Sequence, residues 1–189
     1  MSLAAELAVN RTIENPQVGD RVTFLTTRAE SGGAYEWVEV ELKAGGGNSL
    51  HYHTAFVEEF ESMEGELYVD CDGKTFVLKP GERATAPIRT LHRFYNPGQT
   101  GIRFRVKIVP ARHFEPTLRI AYGLACDGKT NKNGIPKNVL ALAVIFQLGE
   151  SYLAGMPIWL QKGIFGLLYR IAKWAGTEKR LLETYCHGT

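Results

Sequence analysis

Gly45-Gly46-Gly47-Asn48-Ser49-Leu50-His51-Tyr52-His53-Thr54-Ala55-Phe56-Val57-Glu58 is the stretch on which this chain turns. One residue separates His51 from His53, so on a strand both imidazoles leave the same face. Glu58 has the opposite parity and points away if the strand runs on unbroken. A turn or bulge within residues 54–57 is therefore needed to bring its carboxylate back. A third imidazole, His92, lies in Thr90-Leu91-His92-Arg93-Phe94-Tyr95-Asn96, an alternating segment that follows the turn at Pro87. Three imidazoles and one carboxylate make a mixed nitrogen and oxygen donor set for a divalent transition metal. Four such donors leave open positions only in a geometry above four-coordinate, and those positions take water, substrate or dioxygen.

The flanking sequence has the period of strands. Apolar and polar residues alternate in Trp37-Val38-Glu39-Val40-Glu41-Leu42 and again in Arg103-Phe104-Arg105-Val106-Lys107-Ile108. Gly32-Gly33, Gly45-Gly46-Gly47, Asp72-Gly73, Pro80-Gly81 and Pro97-Gly98 punctuate the run as turns. Asp72-Gly73, between Leu67-Tyr68-Val69 and Thr75-Phe76-Val77-Leu78, predicts a hairpin. Many short strands with close turns predict a sandwich or barrel. After Pro110 the period lengthens. A short helix is predicted over 118–125, then a loop over 127–134, with Pro136 at the start of the next helix. Further helices are predicted over 137–153, 157–174 and 177–185. The chain thus divides into an N-terminal segment (1–14), a barrel (15–112) and a helical extension (113–189).

Two motifs in this sequence resemble those of the cupin superfamily. The first, G-x5-H-x-H-x3,4-E-x6-G, is matched by Gly45, His51, His53, Glu58 and Gly65. The second, G-x5-P-x-G-x2-H-x3-N, is matched by Gly81, Pro87, His92 and Asn96, with Arg89 where the motif has its internal glycine. The resemblance covers residues 15–112 and is to the small single-domain, cupin 2 type. It implies a mainly β fold, an antiparallel jelly-roll β-barrel, here with C-terminal α-helices. It implies metal ligation by His51, His53, Glu58 and His92, with iron, manganese, nickel, copper or zinc as the single divalent ion. The implied activity is that of a metal-dependent enzyme of dioxygenase type, an oxidoreductase acting on a small organic molecule, with Glu58 a candidate base. A homodimer is implied as well. The fold also hosts non-catalytic metal- or ligand-binding modules, so architecture alone does not fix the activity.

Alternation nominates the pocket. With Glu58 inward, Phe60 and Ser62 follow it, while Glu59 and Glu61 face out toward Arg103, Arg105 or Lys107 of a paired strand. With His92 inward, Phe94 follows. Phe60, Ser62 and Phe94 are the candidate substrate-binding residues. Arg89 joins them if it points to the barrel mouth, where it would meet an anionic substrate, rather than to the surface.

The 189 residues carry a net charge of +2, too even for wholesale nucleic-acid binding. The total is a cancellation. Residues 1–110 hold twelve Lys/Arg and fifteen Asp/Glu, whereas residues 111–189 hold ten and five. Opposite charges of this kind are expected to help the helices dock on the barrel. Three cysteines do not make a disulfide scaffold, and the first residues read as neither signal peptide nor anchor, so the expected location is cytoplasmic. The glycine run lacks the Lys-Ser/Thr ending of a phosphate loop. Cys186-His187 reads as a frayed tail. The apolar run at residues 139–146 is too short to span a bilayer, which takes about 20 residues. The helix over 157–174 presents Leu160, Ile164, Leu167, Leu168, Ile171 and Trp174 on one face. It is expected to pack on the barrel or a partner subunit, with a membrane surface as the less favoured alternative.

Overall fold

Strand alternation builds two antiparallel sheets in the computed structural model, which describes residues 10–132 and 134–186. His187 and most of the N-terminal segment lie outside the described residues. In chain order the strands are β1 (Thr12–Asn15), β2 (Asp20–Thr26), β3 (Glu36–Leu42), β4 (His51–His53), β5 (Val57–Glu64), β6 (Leu67–Cys71), β7 (Lys74–Leu78), β8 (Arg83–Ala86), β9 (His92–Tyr95), β10 (Ile102–Val109) and β11 (Ser151–Leu153). The helices are α1 (Phe114–Cys126), α2 (Val139–Gly149), α3 (Ile158–Trp174) and α4 (Thr177–Tyr185). One sheet runs β1-β2-β3-β10-β5-β8 and the other β11-β4-β9-β6-β7. Their facing sides give the core, including Phe24, Val38, Leu67, Val69, Phe104 and Ile108. The outward residues of β5 and β10 pair as alternation predicts, Glu59 opposite Lys107 and Glu61 opposite Arg105.

The Asp72-Gly73 hairpin forms as read, with both residues at positive φ between β6 and β7. Gly65 turns the chain out of β5 with φ +78°, and a Cβ there would stand 2.6 Å from Ile102 Cγ2.

α1 links the two parts of the chain. Phe114, Leu118, Ala121 and Tyr122 pack on the barrel core. Ile120 and Leu124 face the other way, into a second cluster with Val144, Ala172 and Leu181. This packing is apolar, and hydrogen bonds accompany it, from the Tyr122 hydroxyl to Asp20 and from the Glu115 N–H to Glu36. With the chain divided after Pro110, as in the charge count, every ion pair among the described residues closes within one part, as Arg105–Glu39 does before it and Arg112–Glu150 after it. The expected charge attraction between the parts is therefore not what joins them.

The helix predicted over 137–153 is corrected. α2 ends at Gly149, Glu150 takes a left-handed conformation, and Ser151–Leu153 becomes β11. A three-residue strand has no periodicity of its own to read. The free edge of β4 captures it, pairing Ser151 with His53, Tyr152 with Tyr52 and Leu153 with His51. The barrel sheets also begin before residue 15, because β1 pairs with β2 from Thr12 onward.

Candidate metal centre

Three strands and one turn bring the four donors together. β4 carries His51 and His53, and β9 sets His92 directly opposite His51. Residues 54–56 break the strand, Phe56 stacking on the His53 ring at 4.1 Å, and β5 then starts at Val57 so that Glu58 turns inward. The break reverses the parity that the sequence spacing alone would have given. One ligand atom from each of His51, His53, Glu58 and His92 falls within 4.8 Å of all the others. His51 Nε2 and His53 Nε2 stand 3.1 Å apart, and His92 Nε2 is 3.0 Å from Glu58 Oε2. His53, Glu58 and His92 are buried, and His51 is half-buried.

The outer nitrogens fix which nitrogen faces the centre. His51 Nδ1 donates to the Ser49 carbonyl and His92 Nδ1 to the Thr90 carbonyl, each at 2.8 Å. His53 Nδ1 donates to Ser151 Oγ at 3.0 Å, and that hydroxyl donates onward to the Gly149 carbonyl at 2.9 Å. A carbonyl only accepts, so the proton sits on Nδ1; the Nε2 lone pairs of His51 and His53 are left for an ion, while His92 Nε2 holds a second proton toward Glu58. Burial lowers the His51 pKa and pushes His53 down to about 3, keeping both neutral, the form that ligates. Burial works to raise the Glu58 pKa, but the three imidazoles outweigh it and hold the carboxyl down to about 2. Burial likewise opposes charge on His92, yet the hydrogen bond to Glu58, the Glu58 charge and the Thr90 carbonyl together outweigh it and raise the imidazole above its ordinary value. These donors fit a divalent transition ion: three oriented imidazoles, one ionised carboxylate, and a His92 proton for the ion to displace.

A base at Glu58 needs a raised pKa, and the carboxyl has a depressed one. The depressed value keeps Glu58 ionised, the form in which a carboxylate ligates. A cavity of about 640 Å³ opens against His51, His53 and Glu58, with Phe60 and Phe94 in its wall. Ser62 faces inward but does not line the cavity; its hydroxyl donates to the Gly65 carbonyl and closes the turn. Arg89 is exposed and also lies outside the cavity wall. Its contribution is backbone: at φ +64° its N–H donates to the His53 carbonyl at 2.7 Å. That left-handed conformation is the one the motif's glycine adopts easily, and here arginine bears it.

The residues that sequence reasoning missed come from the helical extension. Phe114, Thr117 and Leu118 of α1 close the cavity, and Gly149 and Ser151 orient His53 from positions 96 and 98 residues downstream. No spacing motif spans such a separation. Ser151→Ala is expected to weaken metal binding about 10-fold while leaving the fold intact, read by competition with a chelating dye.

The segment with this geometry, residues 38–109, matches the family model for the cupin domain. The chain carries a cupin domain. Curated relatives of this cupin include the alginate biosynthesis protein AlgA of Pseudomonas aeruginosa, 28% identical over 109 residues that make up 50% of this chain and 23% of that protein. The polyketide synthase CurC of Streptomyces cyaneus is 39% identical over 62 residues, 33% of this chain and 40% of that protein. The chain spans less than half the length of these relatives. Among solved structures, KdgF from Halomonas sp. is similar at 18% identity and TM-score 0.47, covering 53% of this chain and 86% of that one. An RmlC-like cupin from Shewanella frigidimarina is similar at 24% identity and TM-score 0.47, covering 55% and 86%. The cupin domain match ends at Val109, so the cavity-closing helix α1 lies beyond it.

Proposed function

We propose that this cupin is a metal-dependent enzyme of dioxygenase type acting on a small organic molecule held in the barrel cavity. The carrying observation is the shared wall: three of the four donors, His51, His53 and Glu58, line the same 640 Å³ space as Phe60, Phe94 and α1. A divalent ion held by His51, His53, Glu58 and His92 would supply Lewis acidity and, if redox-active, electron transfer.

The protein's own residues do the rest. Phe60, Phe94, Val22, Val40 and Val106 give the cavity an apolar lining, which suits an aromatic or aliphatic body. Phe114 and Leu118 cover that body and displace water from around it. Asn48 holds the wall in place, its side-chain oxygen accepting from the Phe94 N–H at 2.9 Å. Ser49, Thr90 and Ser151 keep the imidazoles from rotating, so substrate meets a centre that needs no rearrangement. Three free thiols, Cys71, Cys126 and Cys186, support a reducing, cytoplasmic setting.

Oxygen consumption by the iron-loaded protein, measured over a panel of phenols, diketones and thiols, tests this reading. Substrate-dependent uptake that disappears in His92→Ala is the expected result. Metal retained with no uptake on any member would overturn the enzymatic reading and leave a binding module.

A further inference from the structure

α3 buries little of itself. Gln161 and Ala172 are its buried residues, and Phe165 stacks on Phe146 of α2 at 4.4 Å. The opposite side faces out, with Trp159 72% exposed, Leu167 61% and Trp174 90%, joined by Ile164 and Ile171. At 100° per residue these five side chains fall within an arc of about 140°. Trp159 and Trp174 stand near the two ends of the helix, about 22 Å apart along the axis, Trp159 at one edge of the arc and Trp174 inside it. Lys162 and Lys173 line one border of the arc and Arg170 lies within it, while the other border is the seam with α2.

The charge around this face has one sign. From Ser151 to Thr177 the chain has three cations, Lys162, Arg170 and Lys173, and no carboxylate. None of the three makes an ion pair among the described residues, in a protein that pairs most of its other arginines. Lys162 and Lys173 rest over the rings of Tyr152 and Tyr169, and the nearest carboxylate to the second ring, Glu178, is bonded to the Tyr169 hydroxyl and makes no ion pair with Lys173. No helix among the described residues is long and apolar enough to cross a membrane.

We propose that α3 docks this protein on an anionic lipid surface, its apolar arc among the acyl chains and Lys162, Arg170 and Lys173 against phosphate. Indole rings at the two ends and cations along the border are what the interface between headgroup and acyl chain accommodates. A second copy is the poorer occupant. Its α3 would bring three more cations to the same face and no carboxylate of its own to meet them. The proposal is independent of the metal centre and of the activity proposed for it.

The test is co-sedimentation of the full chain with phosphatidylcholine vesicles, with and without phosphatidylserine. Binding is expected with phosphatidylserine and is expected to fade as salt rises. Replacing Lys162, Arg170 and Lys173 together with Gln should weaken it about 100-fold. Trp159→Ala with Trp174→Ala should abolish it while circular dichroism stays unchanged, because both side chains are free of the core. Equal binding to both kinds of vesicle, or no binding to either, would overturn the proposal. So would a wild-type dimer that those two tryptophan substitutions dissociate, since a second copy would then be what covers the face.

Discussion

His51→Ala is expected to abolish metal retention, lowering affinity by more than the roughly 100-fold that loss of a mere orienting partner can cost. The reason lies in the position of His51. It stands opposite His92 across β4 and β9, with its Nε2 3.1 Å from that of His53, so its loss leaves the cluster open on the cavity side. The remaining donors keep their own supports, His92 from Thr90 and His53 from Ser151, so the fold survives the loss. Loss of His92 should act differently. His92 is almost fully buried against the Glu58 carboxylate, and His92→Ala strands that carboxylate without its hydrogen-bond partner. This variant should lose metal and also melt at a lower temperature, whereas His51→Ala should lose metal alone. Metal content after dialysis against excess ion, measured alongside thermal melts, separates the two. Unchanged metal content in both variants would remove the ligand assignment.

Between pH 4 and pH 7 the protein is expected to lose stability through two buried carboxyls that have nothing to do with metal. Burial raises the pKa of Asp20 to about 6 and that of Glu36 to about 7. Each has one carboxylate oxygen with no partner among the described residues, while the other oxygen accepts, from the Tyr122 hydroxyl in one case and the Glu115 N–H in the other. A raised folded-state pKa means that folding favours the neutral acid. The stabilisation is complete below the unfolded pKa, near 4, and disappears as pH rises through the folded value. For shifts of this size the loss is about 3 kcal/mol per carboxyl. Glu58 has the opposite sign, contributing stability above about 4.5 that is lost as pH falls toward 2. Asp20→Asn and Glu36→Gln imitate the neutral acid, so each should flatten the curve of unfolding free energy against pH. Subtracting wild type from variant at each pH cancels what Glu58 contributes to both. Denaturant melts at pH 4.5, 6 and 8 that run parallel for wild type and variants would show that neither carboxyl is the cause.

Much of the barrel was legible because half-buried strands repeat every two residues, as in Trp37 to Leu42 and Arg103 to Ile108. The ligand set was legible for the same reason. His51 and His53 share a face, and the break needed to turn Glu58 inward falls at residues 54–56. Parity told less where it met other demands. Ser62 has the inward parity of Glu58 and Phe60, yet its hydroxyl is spent on the Gly65 carbonyl. Arg89 fills a glycine position and offers its backbone instead of its charge. The charge split between the two parts suggested an electrostatic dock, but the contact is Phe114, Leu118 and Ala121 on an apolar core. What no local pattern encodes is the joining of distant segments: β11 on β4, and α1 over the cavity.

β11 also orders events in time. His53 is synthesised 98 residues before Ser151, the hydroxyl that orients it. At ribosomal rates those residues take about 5–20 s to add. For that interval β4, with both its histidines, is the bare edge of its sheet, since only the later strand covers it. His53 is therefore made early and aimed late, and an ion that arrives before β11 meets one imidazole of the three still free to turn.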